Sequence, residues 1–119
     1  LSSEDFINFI RRITNVKLSR KIDMHAHLFS NSDYLLFHDD VVESRSIAYV
    51  INLSKNFSSS DGGSLQFFDI SNPLAPFKNI TPEFNSFVLF SVSSKSLHAV
   101  EEVISKKRRL SIGGWFYGA

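Results

Sequence analysis

The chain has no cysteine among its 119 residues. That excludes disulfides, thiolate-held zinc, iron–sulfur clusters and a cysteine nucleophile. Any metal has to be held by histidine and carboxylate, and there are four histidines: His25, His27, His38 and His98. An excess of one charge is missing too. Thirteen Lys and Arg stand against twelve Asp and Glu, a formal net charge of +1. Direct nucleic-acid binding and attraction to an anionic membrane therefore have no electrostatic basis. No apolar run nears the roughly 18 residues that span a bilayer. Residues 1–6 lack the basic-then-apolar pattern of a signal peptide, so the expected location is cytoplasmic or nuclear. Gly62-Gly63 lacks the spacing and the following Lys of a phosphate loop. No G-x-S-x-G elbow is present. The only Met is Met24 and the first residue is Leu1. The expectation is one domain over 1–119, a fragment of a longer protein.

What is present is a globular composition, 43% hydrophobic and 21% charged, with twelve Phe. Ser2 or Ser3 followed by Glu4 and Asp5 reads as a helix start. Phe6, Phe9, Ile10 and Ile13 then recur at helical spacing, predicting a helix over 3–14. Beyond Asn15 the pattern turns to short apolar runs. Strands are predicted at 22–28, 34–40, 46–53, 63–70, 87–92, 98–103 and 109–117. Turn-forming clusters such as Ser30-Asn31-Ser32-Asp33 and Ser71-Asn72-Pro73 lie between them. The fold class is mainly β, a sandwich or jelly-roll barrel with the N-terminal helix packed outside.

The run Leu35-Leu36-Phe37-His38-Asp39-Asp40 is a strand entering a loop. Alternation puts His38 and Asp40 on one face and Asp39 on the other. A His and a carboxylate on one face can share a cation, and His98, in another strand-like run, is the best candidate third ligand. Two His and one carboxylate form the facial triad of non-haem Fe(II) oxygenases. The bland alternative makes His38 a turn histidine beside solvated acids. In the last strand, period two groups Arg109, Ser111, Gly113 and Trp115, with Leu110, Ile112 and Phe116 opposite, toward apolar packing. An inward Arg and Ser make a fork for a carboxylate. The alternative puts Arg109 in the solvated basic run of Lys106, Lys107 and Arg108.

These motifs resemble the prolyl-hydroxylase type of the Fe(II)- and 2-oxoglutarate-dependent dioxygenases, over about residues 20–118. Within that family they look like the eukaryotic prolyl 3-hydroxylases that modify a small-subunit ribosomal protein. The most specific stretch is Arg109-Leu110-Ser111-Ile112-Gly113-Gly114-Trp115-Phe116. The resemblance implies a double-stranded β-helix (jelly-roll) barrel and catalytic, metal-holding His38, Asp40 and His98. It implies that the far carboxylate of 2-oxoglutarate meets Arg109 with Ser111 assisting, and that Trp115 walls the pocket. Fe(II), 2-oxoglutarate and O2 are the implied reactants, with ascorbate as an auxiliary reductant and a ribosomal protein as the partner. Glu43 and Arg45 fall at family positions near the mouth, where substrate contact is one reading and a surface ion pair the other.

Asn52 stands where the group carries a Tyr for the cosubstrate, with Tyr34 or Tyr49 as candidates to compensate. Phe57 replaces a usual Trp. The family's second, degenerate barrel has no counterpart here. A catalytically silent binding barrel, or an oxygenase on another substrate class, are the alternatives. His25 and His27 share a strand face, as an accessory metal site or, the bland reading, as polar positions on a half-exposed strand.

Overall fold

A computed structural model describes residues 1–119. Helix α1 spans Glu4–Thr14. The Ser3 hydroxyl caps it by accepting the Phe6 N–H at 3.2 Å, and Asn15 ends it in a left-handed conformation. Nine strands follow: β1 Leu18–Ile22, β2 His25–Phe29, β3 Leu35–His38, β4 Arg45–Asn52, β5 Leu65–Phe67, β6 Lys78–Ile80, β7 Ser86–Ser91, β8 His98–Val100 and β9 Arg109–Gly118. Between β4 and β5 lies a short 3-10 turn, Ser59–Asp61.

Two antiparallel sheets face one another. One has the order β1-β9-β4-β7, with β2 also paired to β9, and the other β3-β8-β5-β6. This is the double-stranded β-helix with a helix on its outside. Alternation along β4 and β9 serves two purposes. The outward residues Ile47, Tyr49 and Phe116 form a buried cluster with Leu18 and with Ile7 and Ile10 of α1. Burying each such side chain contributes on the order of 2 kcal/mol. The inward residues line the space between the sheets.

Two strands depart from the expected pattern. The strand predicted at 22–28 is β2, and a further strand, β1, precedes it unpredicted, the two pairing in turn along β9. Asp23 makes the break. Its side chain accepts the Trp115 N–H at 2.8 Å and the Tyr117 hydroxyl at 2.7 Å, so a carboxylate takes the place of a ladder partner. Strand β6, between Pro76 and Pro82, carries little alternation and is not predicted. Leu110 is correctly placed opposite Arg109, yet it is exposed rather than packed.

Candidate metal centre

His38 ends β3, His98 begins β8, and the two are cross-strand partners. Partners on an antiparallel ladder share a face, so the rings meet with centroids 4.3 Å apart. Asp40 arrives from the loop after β3. Its φ of 67° is left-handed, which costs a non-glycine residue roughly 1–2 kcal/mol. The Asp39 carbonyl accepts the Ser96 hydroxyl at 2.6 Å, tying that loop to the turn before β8.

The three side chains converge. His38 Nε2 lies 3.0 Å from Asp40 Oδ1, and His98 Nε2 lies 3.1 Å from Asp40 Oδ2. One ligand atom from each sits within 4.8 Å of the others. Both tautomers are dictated by their neighbours. His38 Nδ1 is 2.9 Å from the Leu36 carbonyl and His98 Nδ1 is 2.6 Å from the Ser96 carbonyl. A carbonyl only accepts, so each Nδ1 carries the proton and each Nε2 is turned to Asp40. With Nδ1 held by a carbonyl, each Nε2 is the atom that exchanges a proton for a metal: protonated it donates to Asp40, and deprotonated it offers a lone pair beside the carboxylate, an arrangement that suits a divalent cation. Burial opposes ionisation of Asp40, but the hydrogen bonds from His38 and His98 outweigh it and hold the carboxyl well below the usual range. The His38 pKa is raised, chiefly by its bond to Asp40. The donor set fits Fe(II).

The other end of the space is cationic. Across β7-β4-β9-β2 the register aligns Ser86, Asn52, Ser111 and His27 in one inward row. Arg109 follows, 3% exposed. Its Nε donates to the Gly63 carbonyl at 2.7 Å and its Nη1 to Ser111 Oγ at 3.2 Å. Nη2 has no protein partner and is free for an anion. Burial lowers the guanidinium to about 10, so it stays charged at neutral pH. Gly63 has φ 72°, and a Cβ there would sit 3.2 Å from Arg109 Cδ. The Asp61-Gly62-Gly63 turn thus seats the arginine, a role not foreseen from the sequence.

A single cavity of about 140 Å³ is lined by His38, Asp40, His98, Arg109, Ser111 and Trp115 together. Trp115 Nε1 donates to Asp40 Oδ2 at 3.3 Å. Arg45 stacks 3.5 Å over the Trp115 ring, with its Nε buried and unpartnered. Glu43 is exposed and makes no polar contact. Asn52 is buried in the inward row but its amide is committed elsewhere. The Ser86 hydroxyl donates to the Glu83 carbonyl, so Asn52 Nδ2 donates to Ser86 Oγ at 2.9 Å. Asn52 Oδ1 is left without a donor. Neither tyrosine compensates: Tyr49 faces the helix side and bonds the Asp23 carbonyl, and Tyr34 is exposed. Lys107 is not merely solvated, since it binds Asp61 at 2.9 Å and the Asn56 carbonyl. Arg108 is exposed.

Residues 24–117 match the family described as the 2OG-Fe(II) oxygenase superfamily. The chain belongs to that superfamily. Chemistry in this family runs on Fe(II), 2-oxoglutarate and O2, and both ends of the cavity suit it. The oxygenase chain is 42% identical over 119 residues to prolyl 3-hydroxylase OGFOD1 of Xenopus laevis, covering 97% of this chain and 23% of that protein. To the prolyl 3-hydroxylase OGFOD1 of Mus musculus it is 38% identical over 122 residues, 99% of this chain and 22% of that one. It spans less than a quarter of the length of these curated relatives. A prolyl-4-hydroxylase of Pseudomonas putida shares the fold, with a TM-score of 0.78 at 21% identity over 97% of this chain and 61% of that chain.

Proposed function

We propose that this chain is the catalytic barrel of a prolyl hydroxylase that modifies a protein substrate, a small-subunit ribosomal protein. The observation that carries the reading is the pairing, across one cavity, of the His38–Asp40–His98 cluster with the buried Arg109–Ser111 fork. The names of the two OGFOD1 relatives support the prolyl substrate.

His38, Asp40 and His98 would hold Fe(II), with each imidazole oriented by its Nδ1–H bond to a carbonyl. Arg109 and Ser111 would take the far carboxylate of 2-oxoglutarate, and the guanidinium, already desolvated, neutralises it without reorganising. Bound Fe(II), with 2-oxoglutarate and O2, supplies the oxidising power to hydroxylate an unactivated carbon, with succinate and CO2 as co-products. Trp115 walls the site and holds Asp40 Oδ2. Arg45, stacked on Trp115, is positioned to meet the peptide, with the more distant Glu43 as a rim contact. Asn52 supports the inward row from beneath.

The test is incubation with Fe(II), 2-oxoglutarate, ascorbate and peptides of small-subunit ribosomal proteins. Succinate should form, and mass spectrometry should find one added oxygen on a proline. Anaerobic Fe(II) and 2-oxoglutarate should also give a weak visible charge-transfer band that His38→Ala abolishes. A band without any peptide oxidation would favour the silent binding barrel; a band unchanged in His38→Ala would refute the site.

A further inference from the structure

Strand β2 runs along the free side of β9 and carries two histidines that the metal cluster does not use. His25 pairs with Gly113 and His27 with Ser111, so both stand on the cavity face. They differ in what they meet. His25 lies edge-on to Trp115, with ring centroids 6.2 Å apart, and its Nε2 is 3.9 Å from Asp23 Oδ2. His27 is part of the cavity wall. A Cβ built on Gly113 would lie 3.8 Å from both Cδ2 and Nε2 of His27. The ring therefore leans over the β9 backbone, along the path from Ser111 toward the metal cluster. Gly113 leaves that path open.

Neither ring nitrogen of His27 has a hydrogen-bond partner in the protein, although the residue next to it in the inward row is the serine bonded to Arg109. Strand β2 is the sheet's edge here and His27, though part of the cavity wall, is exposed, so it stands where the cavity opens. We propose that His27 is a positioning residue for the anionic cosubstrate: a carboxylate seated on Arg109 and Ser111 draws a solvent proton onto the His27 imidazole, and the imidazolium closes the open side of the cavity against the anion. This rests on the reading of the cavity as a 2-oxoglutarate site.

The charges around the ring fit such a response. Those that face it are His25 on its own strand, Arg109 on β9 and, across the cavity, His38, Asp40 and His98. Partial burial, then His25 and Arg109, lower the His27 pKa, so the free protein carries a neutral ring at pH 7. A carboxylate seated on Arg109 cancels the guanidinium charge that lowers the ring's pKa and adds a nearby anion, so the imidazolium is no longer disfavoured from that side. Proton uptake is then linked to binding: affinity is highest while the bound-state imidazole stays protonated and falls as pH rises through its pKa.

The experiment is anaerobic calorimetry of 2-oxoglutarate binding to the Fe(II)-loaded protein between pH 6.5 and 8.5, in buffers of different ionisation enthalpy. Metal occupancy keeps His38 and His98 from contributing. The wild type should take up a fraction of a proton near pH 7. His27→Gln should lose that uptake and bind several-fold more weakly at pH 6.5, converging on wild type at pH 8.5. His25→Gln should retain the uptake. If His27→Gln keeps the wild-type uptake and affinity, or if His25→Gln abolishes the uptake instead, the proposal is wrong. Arg109→Ala separates the two levels: if 2-oxoglutarate does not bind the wild type, or binds Arg109→Ala equally well, the underlying reading of the cavity fails.

Discussion

Trp115 donates its indole N–H to Asp40 Oδ2 at 3.3 Å, the same oxygen that lies 3.1 Å from His98 Nε2. Trp115 and His98 thus fix one carboxylate oxygen, and the indole bond, between residues 75 positions apart in sequence, reaches from the strand that carries Arg109 to the loop that carries the candidate metal ligand. The same ring stacks under Arg45 on its other side. Through Trp115 the mouth of the cavity and its metal end are mechanically joined.

Trp115→Phe separates these roles. The aromatic face for Arg45 survives and the N–H is lost. Outer partners of metal ligands typically matter by about ten- to a hundredfold in affinity. The variant should fold normally and bind Fe(II) at least about tenfold more weakly, measured by anaerobic titration. An unchanged metal affinity would show that Asp40 needs no help from the indole.

Metal binding should also be visible as stability. The three candidate ligands come from β3, the following loop and β8, and the unfolded chain does not hold them together. At a hundredfold excess over Kd, binding to the folded state alone adds about 2.7 kcal/mol. For a domain of this size that raises Tm by roughly ten degrees or more. A chelator should reverse the rise, and His98→Ala should remove it. Equal Tm with and without metal in the wild type would count against the cluster as a metal site.

Strand parity made much of this site legible. Arg109, Ser111 and Trp115 at period two are read directly because side chains alternate, whereas Asp40 meets His38 through the left-handed loop that follows β3 rather than by strand parity. What parity does not reveal is which strand lies beside which. His27 looks like any polar residue on a half-exposed strand until β2 is seen to pair with β9 and bring it beside Ser111. Asn52 shows the other gap. Its inward placement follows from alternation, but the direction of its amide depends on Ser86 donating to Glu83, a local turn detail with no signature in the pattern. Strand β6 and the break at Asp23 escape for the same reason, since side-chain hydrogen bonds and neighbouring prolines, rather than apolar periodicity, determine them.

Arg109 and Arg108 are adjacent and should behave oppositely. Arg109→Lys keeps a charge but cannot reproduce both the Nε bond to the Gly63 carbonyl and the Nη1 bond to Ser111. Its Kd for 2-oxoglutarate should rise by about tenfold or more. Arg108→Ala should leave Kd unchanged. Gly63→Ala tests the seat itself. Its positive φ costs a side chain roughly 1–2 kcal/mol, and the new Cβ would lie 3.2 Å from both Arg109 Cδ and Phe57 Cε1. Lower Tm together with weaker 2-oxoglutarate binding is expected. Weaker binding in Arg108→Ala would mean the strand phase is misread.

Asp61 links the stability of that seat to pH. Its carboxylate accepts the Ser58 N–H at 2.8 Å and the Lys107 ammonium at 2.9 Å. The backbone bond from Ser58 is the larger cause, Lys107 the next, of a pKa lowered to about 2. An unfolded Asp titrates near about 3.9, so between these values the unfolded state binds more protons. The contribution is therefore fully present above about pH 4 and is lost as pH falls toward about 2. Asp61→Asn should be less stable than wild type at pH 7, and urea unfolding at pH 7, 4 and 2.5 should show the gap closing. Lys107→Met should leave most of the pH dependence in place, because the Ser58 N–H remains. A gap that stays constant down to pH 2.5 would mean that ionisation of Asp61 does not hold the turn beneath Arg109.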